Sequence, residues 1–274
     1  MSRSQILILI SAFVLVVLML RLPKAILKGN KKIETAAKES NQAAESTPQE
    51  SLHKKEIPVN ELEAIEELRK NFFTFSEKEK KLKFADSLAS LFRKNFYFDS
   101  AAKYTGEIAL LNPTIANQIK AGDAYYEASS INTGSHKDSL NANARVFYNK
   151  VLSKNPDNLE AKAKLGMTFI GGNETMKGVG LLREVLEKDP TNELALFNLG
   201  VLSLQSGQNE KAVNRFTELL KVNPGHATGT FYLGLSYLQL GNKEKAGEFF
   251  RKAKLLEPDV AFQSTIDSYL KELQ

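Results

Sequence analysis

The sequence contains no cysteine among its 274 residues. This absence excludes disulfide bonds, thiol catalysis, iron–sulfur clusters and zinc sites built on cysteine. Histidine is scarce, and none of His53, His136 and His226 has a second histidine at the spacing typical of metal ligands. The sequence also lacks catalytic motifs such as G-x-S-x-G and H-E-x-x-H. We therefore predict a protein that is not an enzyme and that binds neither a metal nor a cofactor.

Most of the chain also lacks an excess of charge of one sign. The net charge is +5, but residues 1–59 hold nine Lys and Arg against five Asp and Glu, which leaves the remainder nearly neutral. Domains that bind nucleic acid usually carry a concentrated basic face. We therefore predict no nucleic-acid partner.

An apolar run at the amino terminus predicts a membrane anchor at residues 1–28. From Ile6 to Leu20 every residue except Ser11 is apolar. A helix over residues 5–22 is short for a bilayer, but it suffices if the flanking arginines extend to the interfaces. The alternative, a cleaved signal peptide, is less favoured because no small-x-small cleavage motif follows.

Basic residues concentrate on the carboxy-terminal side of this run, which bears on the predicted location. Arg21, Lys24, Lys28, Lys31 and Lys32 follow it. Because Lys and Arg mark the cytoplasmic flank of a membrane segment, we expect a single-pass protein of the inner or plasma membrane with its main domain in the cytoplasm. A periplasmic domain is the alternative.

Residues 29–58 are polar and lack aromatic residues, which predicts a flexible linker.

The carboxy-terminal half repeats with a fixed period. Pro156, Pro190, Pro224 and Pro258 are each separated by 34 residues. Other positions keep the same register, including Leu165-Gly166, Leu199-Gly200 and Leu233-Gly234, small residues at 178, 212 and 246, and large apolar residues at 182, 216 and 250. The small residues allow two helices to approach closely, and each proline ends the second helix of a unit. The pattern therefore predicts helical hairpins.

These positions resemble the tetratricopeptide-repeat family, and in particular its membrane-anchored bacterial-type members. The resemblance implies an all-α fold, a right-handed solenoid of about five hairpins with capping helices. The predicted divisions are an amino-terminal cap at 59–81, an array at 82–258 with units at about 82–115, 116–158, 159–192, 193–226 and 227–258, and a carboxy-terminal cap at 259–274. The second unit is longer than the others, and we expect its extra residues in a turn around Ser129–Leu140.

The resemblance also implies that the first helices line a concave groove that holds a peptide or a helix. The lining positions predict these groove residues: Met167, Leu194, Phe197, Asn198, Val201, Leu204, Phe231, Tyr232, Leu235 and Leu238. One subset of the family clamps a carboxylate with charged and amide residues. Ala163, Met167, Thr228 and Tyr232 occupy positions where that clamp requires such residues, so we do not expect it here.

The predicted groove is apolar and aromatic, which suits a hydrophobic peptide or helix. We therefore expect a non-catalytic scaffold or adaptor that is tethered to the membrane and binds protein partners. The alternative is a self-associating structural component of a membrane complex.

Overall fold

The structure is a computed structural model that describes residues 57–273. This part of the chain is all helical. Its twelve helices are α1 (Val59–Thr74), α2 (Lys78–Lys94), α3 (Phe98–Leu111), α4 (Ile115–Ser130), α5 (Gly134–Lys154), α6 (Leu159–Met167), α7 (Thr175–Lys188), α8 (Glu193–Gln205), α9 (Asn209–Val222), α10 (Ala227–Gln239), α11 (Lys243–Leu256) and α12 (Val260–Glu272).

Five hairpins form the body of the fold: α2–α3, α4–α5, α6–α7, α8–α9 and α10–α11. Within each hairpin a short turn joins the two helices, and each helix also packs against the next one along the chain. Helix α1 packs against α2 at one end, and α12 packs against α11 at the other. The two terminal helices lie where the sequence predicts caps, while the handedness of the solenoid stays a prediction.

The repeated prolines lie between hairpins. Pro156, Pro190, Pro224 and Pro258 each follow the last residue of a second helix by two positions. Proline has no backbone N–H and its ring excludes the helical conformation of the residue before it, so the helix ends there. The 34-residue spacing therefore sets where each unit begins.

The longer second unit differs from the prediction. The turn between α4 and α5 is short, and the extra residues lengthen α5 instead, to 21 residues against 14 in α7, α9 and α11. Two side chains of this region hold the hairpin against α3: Asn132 Nδ2 lies 3.2 Å from Asp99 Oδ1, and His136 Nε2 lies 2.8 Å from Asp99 Oδ2. Residues rich in Ser, Asn and Gly thus form helix here because tertiary contacts override their weak helix propensity.

The turns inside the hairpins require a left-handed backbone. Gly207 and Gly241 have φ values of +73° and +77° at the same repeat position. In the first unit that position is Phe96, with a φ of +64°. A residue with a Cβ pays a cost of roughly 1–2 kcal/mol in this conformation. The tight turn therefore forms in the first unit despite an unfavourable residue.

The predicted membrane location must be corrected. No helix between residues 57 and 273 is long and apolar enough to cross a membrane. Even the longest of them, α5, contains five charged side chains. The prediction of a single-pass protein in the inner or plasma membrane is therefore wrong for the part of the chain that the structure describes. Its anchor (1–28) and nearly all of its linker (29–56) lie outside that part.

Candidate functional site

The predicted groove residues all lie on the first helices of three successive hairpins. These helices are α6, α8 and α10, and α8 contacts both of the others directly. We call the exposed sides of α6, α8 and α10 the first-helix face. The structure divides the ten predicted residues into two equal sets according to their burial.

Five predicted residues are only partly buried, and they define the accessible part of the first-helix face: Met167, Leu194, Phe197, Asn198 and Leu238. The side-chain amide of Asn198 donates a hydrogen bond to the carbonyl oxygen of Leu194, at 2.7 Å. This bond occupies one amide hydrogen on the helix itself. The accessible set is therefore mostly apolar, with a single amide.

The other five predicted residues are buried: Val201, Leu204, Phe231, Tyr232 and Leu235. All five belong to one core cluster that also contains Phe216 and Phe250 of the second helices. The prediction that they line an accessible groove does not hold in this arrangement. Two of the five, Phe231 and Tyr232, are aromatic side chains that reach beyond their own helix.

Phe231 packs against the carboxy-terminal cap. Its ring centroid lies 5.7 Å from that of Phe262 and 5.6 Å from that of Tyr269, both on α12, and 5.5 Å from that of Phe250 on α11. Only 2% of its surface is exposed. Edge-on contacts of this kind are favourable between aromatic rings. Phe231 therefore joins α12 to the array.

Tyr232 packs in the opposite direction, against the fourth unit. Its ring stacks on Phe216 and meets Phe197 edge-on, with both centroids at 5.7 Å. The residue is 1% exposed, and its hydroxyl has no hydrogen-bond partner among the described residues. Burial, with a smaller effect from Tyr269, raises the pKa of Tyr232 far above its usual range. Tyr232 is thus a core residue with an unsatisfied hydroxyl.

The amino-terminal units carry charges that the sequence analysis missed. Arg93 on α2 lies 2.7 Å from Glu127 on α4, and Asp123 on α4 lies 2.8 Å from Lys164 on α6. Burial raises the pKa of Glu127 even though the Arg93 guanidinium opposes this shift. Burial also disfavours the charged form of Lys164, but Asp123 and Glu160 outweigh it, so the pKa of Lys164 is raised. These pairs link neighbouring first helices.

One signal could have revealed the first of these pairs. Arg93 and Glu127 are separated by 34 residues, which is one repeat length. Side chains one repeat apart lie at the same position on adjacent units, so opposite charges at this separation can meet. The pair Asp123 and Lys164 is separated by 41 residues and gives no such signal, because the long second unit lies between them.

Two buried tyrosines differ in how their hydroxyls are satisfied. Tyr148 on α5 donates a hydrogen bond to Asp123, with 2.7 Å between the oxygens. Burial and the nearby Asp123 carboxylate raise the pKa of Tyr148 well above its usual value. The hydroxyl of Tyr232 has no such partner among the described residues.

This contrast predicts opposite effects of the same substitution. Tyr148→Phe should lower the free energy of unfolding by about 1–3 kcal/mol, because a hydrogen bond to a charged group is lost. Tyr232→Phe should leave it unchanged or slightly raise it, because only an unsatisfied polar atom is removed. Urea denaturation followed by circular dichroism measures both. A loss at Tyr232 as large as that at Tyr148 would mean that its hydroxyl is hydrogen-bonded in solution.

His226 caps the amino terminus of α10. Its Nδ1 accepts a hydrogen bond from the backbone N–H of Gly229 at 3.0 Å, as the side chains of Asn158 and Asn192 do at the starts of α6 and α8. The ring also stacks on Phe197, with centroids 5.3 Å apart. Burial lowers the pKa of His226, against a smaller opposing effect of Glu193. The capping role requires the neutral imidazole, because a protonated Nδ1 cannot accept.

We predict that the protein becomes less stable as the pH is lowered, because of this residue. The folded-state pKa of His226 lies below the ordinary value of 6.5. Its contribution is therefore present above pH 6.5 and is lost as the pH falls through 6.5 towards the folded pKa. Between about pH 7.5 and pH 5.5 the parent should lose about 1 kcal/mol more than His226→Asn, which keeps the cap without titrating. Parallel pH-dependent unfolding curves for the two proteins would contradict this.

Neither of the other two histidines belongs to the first-helix face. His136 is exposed beside Asp99, and His53 lies outside the described residues. Between residues 57 and 273 the structure shows no group of three or more His, Asp and Glu side chains that could hold a metal ion.

Comparisons with known proteins agree with this geometry in the carboxy-terminal part. Residues 181–214 and 203–259 match two family models of the tetratricopeptide repeat. Residues 181–259 therefore carry tetratricopeptide repeats. Proteins with such repeats generally mediate protein–protein interactions, and the repeats are typically non-catalytic scaffolds. No match was found among curated proteins.

Three solved structures match parts of this chain, each with a TM-score under 0.5. The crystal structure of MamA is 19% identical, covers 67% of this chain and 95% of its own, and gives a TM-score of 0.47. YrrB, described as a protein with an unusual peptide-binding site, is 21% identical, with coverages of 76% and 97% and a TM-score of 0.42. PilF of Pseudomonas aeruginosa is 25% identical, with coverages of 57% and 68% and a TM-score of 0.47.

Proposed function

We propose that this protein is a non-catalytic scaffold that binds a hydrophobic peptide or helix of a protein partner on its first-helix face. What supports the proposal is the set of incompletely buried side chains that three successive first helices contribute. Met167 on α6, Leu194 and Phe197 on α8, and Leu238 on α10 all retain accessible surface. An apolar partner segment would remove this surface from water.

The accessible face is chemically suited to an apolar partner. Among the five accessible predicted residues Asn198 supplies the single amide, and its side chain already donates to its own helix. Towards the amino terminus, Lys164 is occupied by Asp123 and Glu160, each at 2.8 Å. Because the nearby charge is already neutralised, recognition would depend on shape and apolar contact rather than on ion pairing.

Site-specific photo-crosslinking tests the proposal. A photoreactive residue would replace Met167, Leu194 or Leu238 in the full chain, in cells that produce the protein. The control position is Met176 on α7, which is 72% exposed and lies off the first-helix face. We expect the three test positions to crosslink to one apolar segment of the same partner, with no such product from Met176. Equal products from all four positions would contradict the proposal.

Self-association is the second candidate function, and one observation favours it. Leu255 and Val260, on either side of Pro258, are 88% and 81% exposed at the carboxy-terminal end of the array. Exposed apolar residues that lie close together often mark interfaces. Sedimentation equilibrium of the parent and of Leu255→Ser with Val260→Ser tests it. A mass that rises with concentration in the parent alone would support self-association, whereas a constant mass in both would exclude it over that range.

A further inference from the structure

Phe96, in the turn between α2 and α3, is unusual in two respects. Its backbone is left-handed, with a φ of +64°, where later units have Gly207 and Gly241. Its side chain is 46% exposed, so burial of the ring does not offset the cost of this conformation. Glycine at this position would avoid that cost. An exposed aromatic ring on a strained backbone therefore indicates a contact that the described residues do not supply.

Two further apolar side chains extend the exposed surface around Phe96. The ring centroids of Phe96 and Phe98 lie 6.1 Å apart. Ile131, in the turn between α4 and α5, is 44% exposed. The next residue, Asn132, joins this turn to α3 through its contact with Asp99 at 3.2 Å. We call Phe96, Phe98 and Ile131 the turn patch, and it shares no residue with the first-helix face.

The charged side chains nearest in sequence to the turn patch are already engaged within the fold. Three contacts account for them: Arg93 with Glu127 at 2.7 Å, Lys94 with Glu61 at 2.6 Å, and Asp99 with His136 at 2.8 Å. Because these groups have partners, the turn patch offers apolar contact rather than an unpaired charge. Its occupant should therefore be apolar.

The described chain begins next to the turn patch. Glu61, in the first turn of α1, accepts a hydrogen bond from the side chain of Asn95, with 2.6 Å between Oε2 and Nδ2. Asn95 is 3% exposed and directly precedes Phe96. The residues that come before α1 therefore enter the fold beside this turn.

Those preceding residues include the apolar run Ile6–Leu20, in which only Ser11 is polar. Apolar side chains of this size are costly to leave in water. Residues 21–56 separate the run from Ile57. Taken as the flexible linker that their composition predicts, they have a root-mean-square reach of about 30–36 Å. Such a tether gives the run an effective concentration on the order of millimolar at the turn patch.

We propose that residues 6–20 pack on the turn patch of the same chain. The contact would cover the ring of Phe96, which accounts for phenylalanine where later units have glycine. It would also shield part of the apolar run from water. Because the contact lies within one chain and uses none of the first-helix face, it does not depend on the proposed function.

Disulfide trapping in the full chain tests this contact. The chain has no cysteine, so cysteines placed at Leu15 and Thr133 are the only thiols. Thr133 is exposed, lies two residues after Ile131 and makes no side-chain capping bond to α5, so its replacement disturbs little. Oxidation would be followed by mass spectrometry in buffer without detergent. We expect a disulfide within one chain, formed at a rate that is independent of protein concentration.

Two variants of this double-cysteine parent distinguish packing from tethering alone. Phe96→Gly should slow disulfide formation about three- to tenfold, the factor that one aromatic contact provides. It should not lower the midpoint of urea denaturation, because glycine removes the backbone strain. Phe73→Ala is the matched control, since Phe73 is 67% exposed on α1 and lies outside the turn patch. It should leave the rate of disulfide formation unchanged.

Three results would overturn the proposal. Equal rates in the parent and in Phe96→Gly would mean that the tether alone brings the two cysteines together. Disulfides between chains would make a second copy the occupant of the turn patch. Aggregation of the parent in this buffer would mean that the apolar run is not covered by its own chain.

Discussion

Phe231→Ala should lower the free energy of unfolding by about 3–5 kcal/mol, the range for loss of a buried phenylalanine. The ring is 2% exposed and touches three aromatic rings on α11 and α12. Its removal leaves a cavity between the last hairpin and the carboxy-terminal cap. Because α12 depends on this contact, we also expect part of its helical signal to be lost at lower denaturant concentration than that of the array.

Phe73→Ala is the matched control for this substitution. Phe73 lies on α1, is 67% exposed and meets Phe72 edge-on at 5.2 Å. It should cost no more than about 1 kcal/mol, the value of one aromatic contact. Urea denaturation of both variants, followed by circular dichroism, makes the comparison. Similar small losses in both would mean that Phe231 is accessible in solution and would restore it to the candidate groove.

This result also determines how the proposed function is tested. A variant that removes Phe231 or Tyr232 would lose binding through unfolding of the last unit, whether or not either residue touches a partner. Met167, Leu194 and Leu238 are better positions, since they retain accessible surface and their replacement disturbs the core less.

Gly122→Ala should lower the free energy of unfolding by about 1–3 kcal/mol, the usual cost of overpacking a core. A Cβ at Gly122 would lie 2.4 Å from the ring of Tyr148, far inside contact distance. The ring cannot move away cheaply, because it is 1% exposed and its hydroxyl is bonded to Asp123. The two helices of the second hairpin would therefore have to separate.

Gly180→Ala provides the opposite case in the same kind of helix. Gly180 lies inside α7, and a Cβ there would meet nothing within 4 Å. Alanine should raise the stability by about 0.5–1 kcal/mol, because glycine is the poorer helix former. Thermal and urea unfolding of the two variants would test the pair. If both alanines stabilised the protein, the close approach of α4 and α5 would be wrong.

The same close contact between a first-helix glycine and a second-helix aromatic ring recurs in other units. A Cβ at Gly200 would lie 2.7 Å from Phe216, and one at Gly234 would lie 2.7 Å from Phe250. The sequence analysis predicted that the small residues allow the two helices to approach closely, but it did not pair the glycine of the first helix with the large residue of the second. It also did not identify Gly122 as such a glycine, because the longer second unit separates Gly122 and Tyr148 by more residues than the other units do.

The predicted groove residues show what the repeat pattern does not predict, namely which side chains are buried. Repeat register places ten residues on the inner positions of three helices, and register alone cannot tell which of them meet a neighbouring helix. Whether Phe231 faces solvent depends on Phe262 and Tyr269, which approach it only after α12 folds back onto the array. The predicted membrane location failed in a different way, since it rested on residues outside the described part of the chain.

By itself the sequence determined that the chain forms helical hairpins with a 34-residue period in its carboxy-terminal part, because prolines and small residues act locally on the backbone and recur at fixed spacing there. The tertiary structure alone decided that Phe231 and Tyr232 are core residues and that the extra residues of the second unit extend α5. These features depend on contacts between units, where side-chain size and the path of the chain, rather than local periodicity, set which atoms touch.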